Sequence, residues 1–260
     1  MSTQITTELV KELRDATGIS VMQCKKALEE AGGDMNKALA ILKKTSSDIA
    51  LKKASRNAAD GAVMVKNSGN QTVLVSLHCE TDFVSRNEDF VNLLTRLTEK
   101  ALAENIEAMK SSAKDMIDPV IQKTGENIQL GDAYLVEGEV VGSYVHNNKI
   151  AVIISLEGGN VELAKDIAMH VAAMRPEYIT QEDINDEIKN TMNEVFQKEV
   201  ASIDKPAEIK KKMLEGKMAT YFKEKTLMDQ PFIKNGDETI GQLLAKAKAK
   251  IKDVKRYSIK

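Results

Sequence analysis

Tryptophan is absent from this 260-residue chain, and aromatic residues of every kind make up only 4% of it. Cores dominated by large rings are therefore not expected; Ala, Val, Ile, Leu and the 12 methionines must supply most of them. Only two cysteines occur, Cys24 and Cys79, far apart and without metal-ligand spacing, so no metal is expected and a reducing cytoplasm fits best. No stretch approaches the ~18 apolar residues of a membrane span, and residues 1–20 hold no apolar signal core, which predicts a soluble, cytoplasmic protein. Neither sign of charge dominates: 37 Lys and Arg face 39 Asp and Glu, a net charge of -2, so nothing global draws nucleic acid or an anionic membrane. A glycine-rich phosphate loop, a nucleophile elbow and HExxH are all missing, and with them the common routes to bond chemistry.

What is present is a regular pattern of small elements. Hydrophobic residues make up 42% of the chain, enough for one large domain or two to three small ones. The N-terminus reads as three short helices over residues 1–45. Leu9, Val10 and Leu13 form one stripe that stops at Gly18. Ser20 and Gln23 form a capping box for a helix from Val21 to Ala31, which ends at Gly32-Gly33. Asp34 caps a third helix with Met35, Ala38, Leu39 and Leu42 on one face. A polar run, 46–60, mixes linker with helix.

A hairpin-then-helix pattern then occurs twice, over 61–140 and 141–260. Gly61-Ala-Val-Met-Val-Lys, a turn, the strand Thr72 to Leu77 and the helix Glu88 to Leu102 form the first copy. Gly142-Ser-Tyr-Val-His, Asn147-Asn148, the strand Ile150 to Leu156 and the helix Val161 to Ala173 form the second. Val-Leu-Val-Ser-Leu in one strand matches Val-Ile-Ile-Ser-Leu in the other. This predicts an α+β fold with two related subdomains, each a small antiparallel sheet covered on one face by helices. The run Tyr134 to Val141 alternates well enough to join the second sheet, and residues 104–130 form a mainly helical connection. Beyond Pro176, apolar residues recur at spacings of mostly three or four on both sides of Asp204-Lys205-Pro206, predicting a protruding antiparallel coiled-coil hairpin over about 181–228. Thr180 and Asp183 signal its start. A helix from Ile240 to Lys250 and a strand-like end, Val254 to Ile259, complete the chain.

The copies differ at one place. In the second, strand and helix are joined by Glu157-Gly-Gly-Asn160; in the first, by the longer His78-Cys-Glu-Thr-Asp-Phe-Val-Ser-Arg-Asn87. Two readings of Thr81-Asp82-Phe83-Val84 stand open: Phe83 packs into the local core while Asp82 caps the next helix, or Phe83 is an exposed wedge. His78 and Cys79, adjacent on a strand, point to opposite faces and cannot easily act together. His170 sits on an apolar helix stripe, as core or interface histidines do. Lys246, Lys248, Lys250 and Lys252, spaced by two, spread around a helix without aromatic stacking platforms and read as a solvated surface.

Leu13-Arg14-x-x-Thr17-Gly18 followed by Cys24-Lys25-x-Ala27-Leu28, and Cys79-Glu80-Thr81-Asp82-Phe83-Val84-Ser85-Arg86, resemble the two signatures of the elongation factor Ts family. Further similarities run in order along nearly the whole chain: Ala59-Asp60-Gly61, Gly125-Glu126-Asn127-Ile128, Gly142-Ser143-Tyr144-x-His146, Ala168-Met169-His170-Val171-Ala172-Ala173 and Gln230-Pro231-Phe232. Ser76 and His78 depart from the family pattern, and the chain ends soon after Arg256-Tyr257, where some members carry another helical module. The resemblance implies a ubiquitin-associated-like (UBA-like) N-terminal domain, a two-subdomain core and a coiled-coil hairpin. It implies no cofactor and no catalytic residue. The implied activity is guanine nucleotide exchange on the GTPase elongation factor Tu. Thr81, Asp82, Phe83 and Val84 would enter beside the partner's Mg²⁺ site, Val21 and Met22 would pack on its nucleotide-binding domain, and His146 would meet its third domain. A homodimer or an assembly of two Tu with two Ts is permitted by the exposed seam and not demanded by it. Two alternatives of other classes are a non-enzymatic adaptor using the UBA-like domain and an RNA-binding translation factor using the basic tail.

Overall fold

A computed structural model describes residues 5–259. By internal contacts the chain divides into two units. The first comprises Met1–Glu137, Val145–Ala151 and Tyr257–Lys260; the second comprises Gly138–Tyr144 and Val152–Arg256.

The first unit opens with α1 (Thr7–Thr17), α2 (Val21–Glu30) and α3 (Met35–Lys53). Each start carries a side-chain oxygen that accepts a backbone N–H: Thr6 from Leu9, Ser20 from Gln23 and Asp34 from Lys37. The Gln23 side chain does not return to the Ser20 amide as a capping box requires; it accepts the Ser20 hydroxyl at 2.9 Å. Gly18 ends α1 in the left-handed region, φ 67°, where a side chain would be strained. Val10, Leu13, Ile19, Cys24, Ala27, Leu28, Ala38 and Leu42 form the small core of these helices, while Leu39, expected on the same face, is exposed. Of the segment 46–60, α3 takes residues up to Lys53. Its polar residues bind α6 (Ile106–Thr124): Ser47 donates to Asp118 at 2.6 Å, and Lys43 pairs with Asp115 at 2.7 Å.

Strands β1 (Asp60–Ser68) and β2 (Gln71–Cys79) form an antiparallel hairpin, and β3 (Gln129–Glu137) pairs antiparallel on the other side of β2. Val73, Val75, Leu77 and Cys79 alternate along β2 and pack with Phe90, Leu93, Leu94 and Leu97 of α5 (Glu88–Ala103). This is a hydrophobic seam of two matched periods, two along the strand and 3.6 along the helix. The run 134–141 does not belong wholly to the second sheet. It breaks at Gly138: β3 pairs Tyr134 with Leu74, and β4 (Val140–His146) begins after the break. A side chain at Gly138 would collide with the Ser155 hydroxyl, so the alternating run is interrupted by packing that its polarity pattern does not register.

Strand β4 turns through Asn147 and Asn148, both at positive φ as a two-residue hairpin turn requires, into β5 (Ile150–Glu157). Helix α7 (Val161–Met174) follows. His170 is fully buried on it, where its Nδ1 accepts the Ile233 N–H at 3.2 Å, so Nε2 carries the proton and donates to Gln230 at 2.9 Å. Burial pushes its pKa down, offset in part by Gln230. Two helices, α8 (Asp186–Ala201) and α9 (Ala207–Lys225), form a hairpin held antiparallel by Glu199–Lys217 at 2.7 Å and edge-on Phe196 and Tyr221 rings. It starts later than Thr180. Thr180 and Asp183 close a 3₁₀ turn, with the Thr180 N–H donating to Asp183 at 2.7 Å, and Asn185 caps α8. After the short pair β6 (Pro231–Phe232) and β7 (Asn235–Thr239), α10 covers only Ile240–Lys246, and β8 (Lys250–Ser258) completes a sheet of order β4-β5-β8. Lys250 and Lys252 consequently share one strand face instead of spreading around a helix, because their spacing of two is a strand period.

Candidate interaction site at the first strand-to-helix junction

Between β2 and α5 the chain makes one short helix, α4 (Asp82–Ser85). Four residues cannot hold a helical turn by themselves, since nucleation fixes several dihedrals for one hydrogen bond. The surroundings supply what the turn lacks. Thr81 is the N-cap, its hydroxyl accepting the Val84 N–H at 3.4 Å. Val84 packs on the core of the first unit, and the Cys79 thiol donates to the Thr81 carbonyl at 3.2 Å. Phe83 points the other way and is 83% exposed. A free phenylalanine side chain on a fixed turn is an anomaly that a core role would not produce. Of the two readings of this segment, core packing is therefore excluded for Phe83, and Asp82 is not the cap. Asp82 instead pairs with Arg86 across one turn at 3.2 Å on the open surface.

Two charged residues flank the turn. Glu126 follows Gly125, which ends α6 at φ 77° and sends the chain back toward β2. Its carboxylate accepts the Glu80 and Thr81 N–H groups at 3.1 and 3.0 Å and the Thr81 hydroxyl at 2.6 Å. In return the Glu80 carboxylate accepts the Asn127 N–H at 2.6 Å and meets Arg56 at 3.5 Å. On the far side, Lys149 donates to Asp60 at 2.5 Å, to the Gly61 carbonyl at 2.6 Å and to the Ser85 hydroxyl at 3.3 Å. Partial burial would raise the Asp60 carboxyl, but Lys149, the Gly61 N–H and Ser85 outweigh it and hold it below the usual range. Cys79 is pushed up to about 12, by burial first and by the nearby Asp60 and Glu126 charges, so it is no nucleophile. His78 faces away from it and bonds the Tyr257 hydroxyl at 2.6 Å.

Val21 and Met22 stand apart from α4 in sequence and element, in the first turn of α2, with exposures of 48% and 75%. Cys24, Ala27 and Leu28 behind them are buried, so the outer pair is free to meet something else. His146 is exposed at the end of β4, on the same turn that delivers Lys149 to Ser85, and its ring lies 3.4 Å from the Asn147 amide. No local motif in the sequence marks Glu126, Lys149 or Asp60 as members of the site. Glu126 and Asp60 do carry a signal, each being an acid beside a glycine in a segment that resembles the elongation factor Ts pattern.

A family model described as Elongation factor TS matches residues 80–260, beginning at this junction. The protein called Elongation factor Ts of Hahella chejuensis is 41% identical over 98% of this chain and 92% of its own length. That of Pseudomonas syringae pv. tomato is 41% identical over 95% and 88%, and that of Cellvibrio japonicus 40% identical over 98% and 90%. The chain belongs to the elongation factor Ts family. As a member it is a translation elongation factor, serving protein biosynthesis, and not a catalyst of bond chemistry. Among the described residues, no group of three His, Cys, Asp or Glu could hold a metal ion, and no helix is long and apolar enough to cross a membrane.

Proposed function

We propose that this elongation factor Ts homologue is a guanine nucleotide exchange factor for elongation factor Tu, and that it acts by pressing Phe83 and Asp82 into the GTPase beside its Mg²⁺ site. The observation that carries this reading is a largely exposed phenylalanine on a turn whose base is fixed at both ends. Mg²⁺ and a helix N-terminus of the GTPase grip the GDP phosphates. A ring inserted beside the metal displaces groups that serve this grip, and its burial contributes about 1.5–3 kcal/mol toward the distortion. Linkage makes the effect reciprocal: a factor that weakens nucleotide binding is itself expelled by nucleotide. Cytoplasmic GTP then completes the exchange.

In this reading the UBA-like module of α1 to α3 supplies affinity through Val21 and Met22, and His146 with the second subdomain grips the partner's third domain. The helical hairpin is taken as the family's coiled coil. A second grip besides that of the wedge opposes its relaxing away. The test is release of a fluorescent GDP analogue from purified elongation factor Tu. Wild type accelerates release and Asp82→Ala/Phe83→Ala does not. Equal acceleration by both proteins would discard the wedge, and none by wild type would discard exchange itself. Met22→Ala raises the concentration needed for half-maximal effect and leaves the saturated rate near wild type.

A further inference from the structure

We infer that Glu126 is a positioning residue for nucleotide exchange: from the turn after α6 its carboxylate fixes the orientation of α4, and thereby how far Phe83 can push. This rests on the exchange reading above. A wedge transmits force only if its base resists rotation, and α4 is too short to resist alone. One carboxylate accepts three donors at that base: Oε2 takes the Glu80 and Thr81 amides and Oε1 takes the Thr81 hydroxyl. Hydrogen bonds onto an ionised acceptor are stronger than neutral ones. The third bond has a second effect. With its hydrogen committed to Oε1, the Thr81 hydroxyl keeps its lone pairs toward the Val84 N–H, so Glu126 orients the cap as well as the backbone.

The remaining contacts make the base stiff in more than one direction. The Glu80 carboxylate binds the Asn127 amide, so the strand end and the turn exchange acids reciprocally. The Asn127 side chain, buried, donates to the Arg56 carbonyl at 2.7 Å and ties in the segment after α3. Lys149 holds the last residue of α4 from the opposite end. Of these groups, Glu126 alone contacts the residues immediately before Asp82 through both backbone and side chain.

The experiment is a titration of fluorescent GDP release from elongation factor Tu with wild type, Glu126→Ala, Glu126→Gln and Phe83→Ala, alongside hydrogen exchange of the free proteins. Glu126→Ala lowers the saturated rate about tenfold while the half-saturating concentration moves less than about twofold, because surface contacts remain and the push is lost. Glu126→Gln, which keeps one carbonyl acceptor, recovers part of the rate. The Glu80 and Thr81 amides exchange faster in Glu126→Ala. An unchanged saturated rate in Glu126→Ala, or unchanged amide exchange, overturns the assignment. Failure of wild type to accelerate release would instead overturn the exchange reading, a result visible in its own arm. If Glu126→Ala does not fold, Thr81→Val decides: a saturated rate lowered about threefold supports the role of the hydroxyl bond, and an unchanged one refutes it.

Discussion

The two strand-to-helix junctions solve one connection problem by opposite means. After β5, Gly158 and Gly159 turn the chain at φ 77° and 72°, and Asn160 caps α7 by accepting the Leu163 N–H at 2.8 Å. That is the least structure that will join the elements. After β2, the chain inserts α4 and surrounds it with Glu126, Glu80, Lys149 and Asp60. The strands feeding the two junctions are alike down to a buried serine, Ser76 or Ser155, lying under a glycine, Gly131 or Gly138, that leaves room for its hydroxyl. A closed hairpin and helix need only the glycine turn. The polar framework around α4 is therefore more than the connection alone requires, and it surrounds an exposed aromatic ring.

Breaking the comparison at its sharpest point gives the largest effect. Phe83→Ala lowers the saturated exchange rate by about tenfold to a hundredfold, the range that about 1.5–3 kcal/mol of lost ring burial corresponds to. Its melting temperature stays at that of wild type, since the ring is 83% exposed in the free protein. A melting temperature lowered by several degrees would show that the ring belongs to the core after all. Gly142→Ala shows the reverse behaviour. A methyl there would overlap the backbone of Ala164 and Lys165 in α7, whose repositioning costs about 1–3 kcal/mol. Urea unfolding at fixed slope should report that loss, and an unchanged midpoint would show that α7 shifts freely.

Much of this contrast was legible in the sequence, and what escaped did so for identifiable reasons. The matching strands Val-Leu-Val-Ser-Leu and Val-Ile-Ile-Ser-Leu and the extra residues after Cys79 exposed both the repeat and its odd junction. The alternating run from Tyr134 to Val141 was misassigned because period two records burial and not partners; Gly138 divides it for a steric reason that only Ser155 reveals. Lys250 and Lys252 carry a strand period that a helix assignment hides. At the site, Phe83 stood out because its sister copy lacks it, whereas Glu126 lies 46 positions from Glu80 and Lys149 lies 64 from Ser85. No local pattern joins residues so distant.

The units also differ in how acid reaches them. In the first, Asp60 has its carboxyl pKa held down, so its contribution is complete above the unfolded carboxylate range and is lost only as pH falls through the lower folded value. In the second, neutral His170 has a depressed pKa while an unfolded histidine titrates near 6.5. Between those two values the unfolded chain holds a proton the folded one lacks, so stability begins to fall as pH drops below about 6.5. A proton on Nδ1 would also displace the Ile233 N–H. Urea unfolding of wild type should therefore weaken between pH 7 and pH 5, and that slope should shrink in His170→Gln. An identical slope in both proteins would exclude His170 as the source.

The smallest effect is expected from Arg86→Ala, and it is the one that separates the brace from the surface around it. Arg86 and Asp82 form an i,i+4 pair at 3.2 Å with side chains 77% and 48% exposed. Such pairs contribute roughly 0.3–0.5 kcal/mol, because water screens the charges and two long side chains must be ordered. If α4 is held from below by Glu126 and Lys149, losing this pair should leave the melting temperature within about a degree and alter the saturated exchange rate by less than about twofold. A tenfold loss in Arg86→Ala would mean instead that the carboxylate of Asp82 has to be aimed by its neighbour before it meets the partner. The rigid element would then be the pair at the tip, and the polar framework beneath it would be left with a structural role alone.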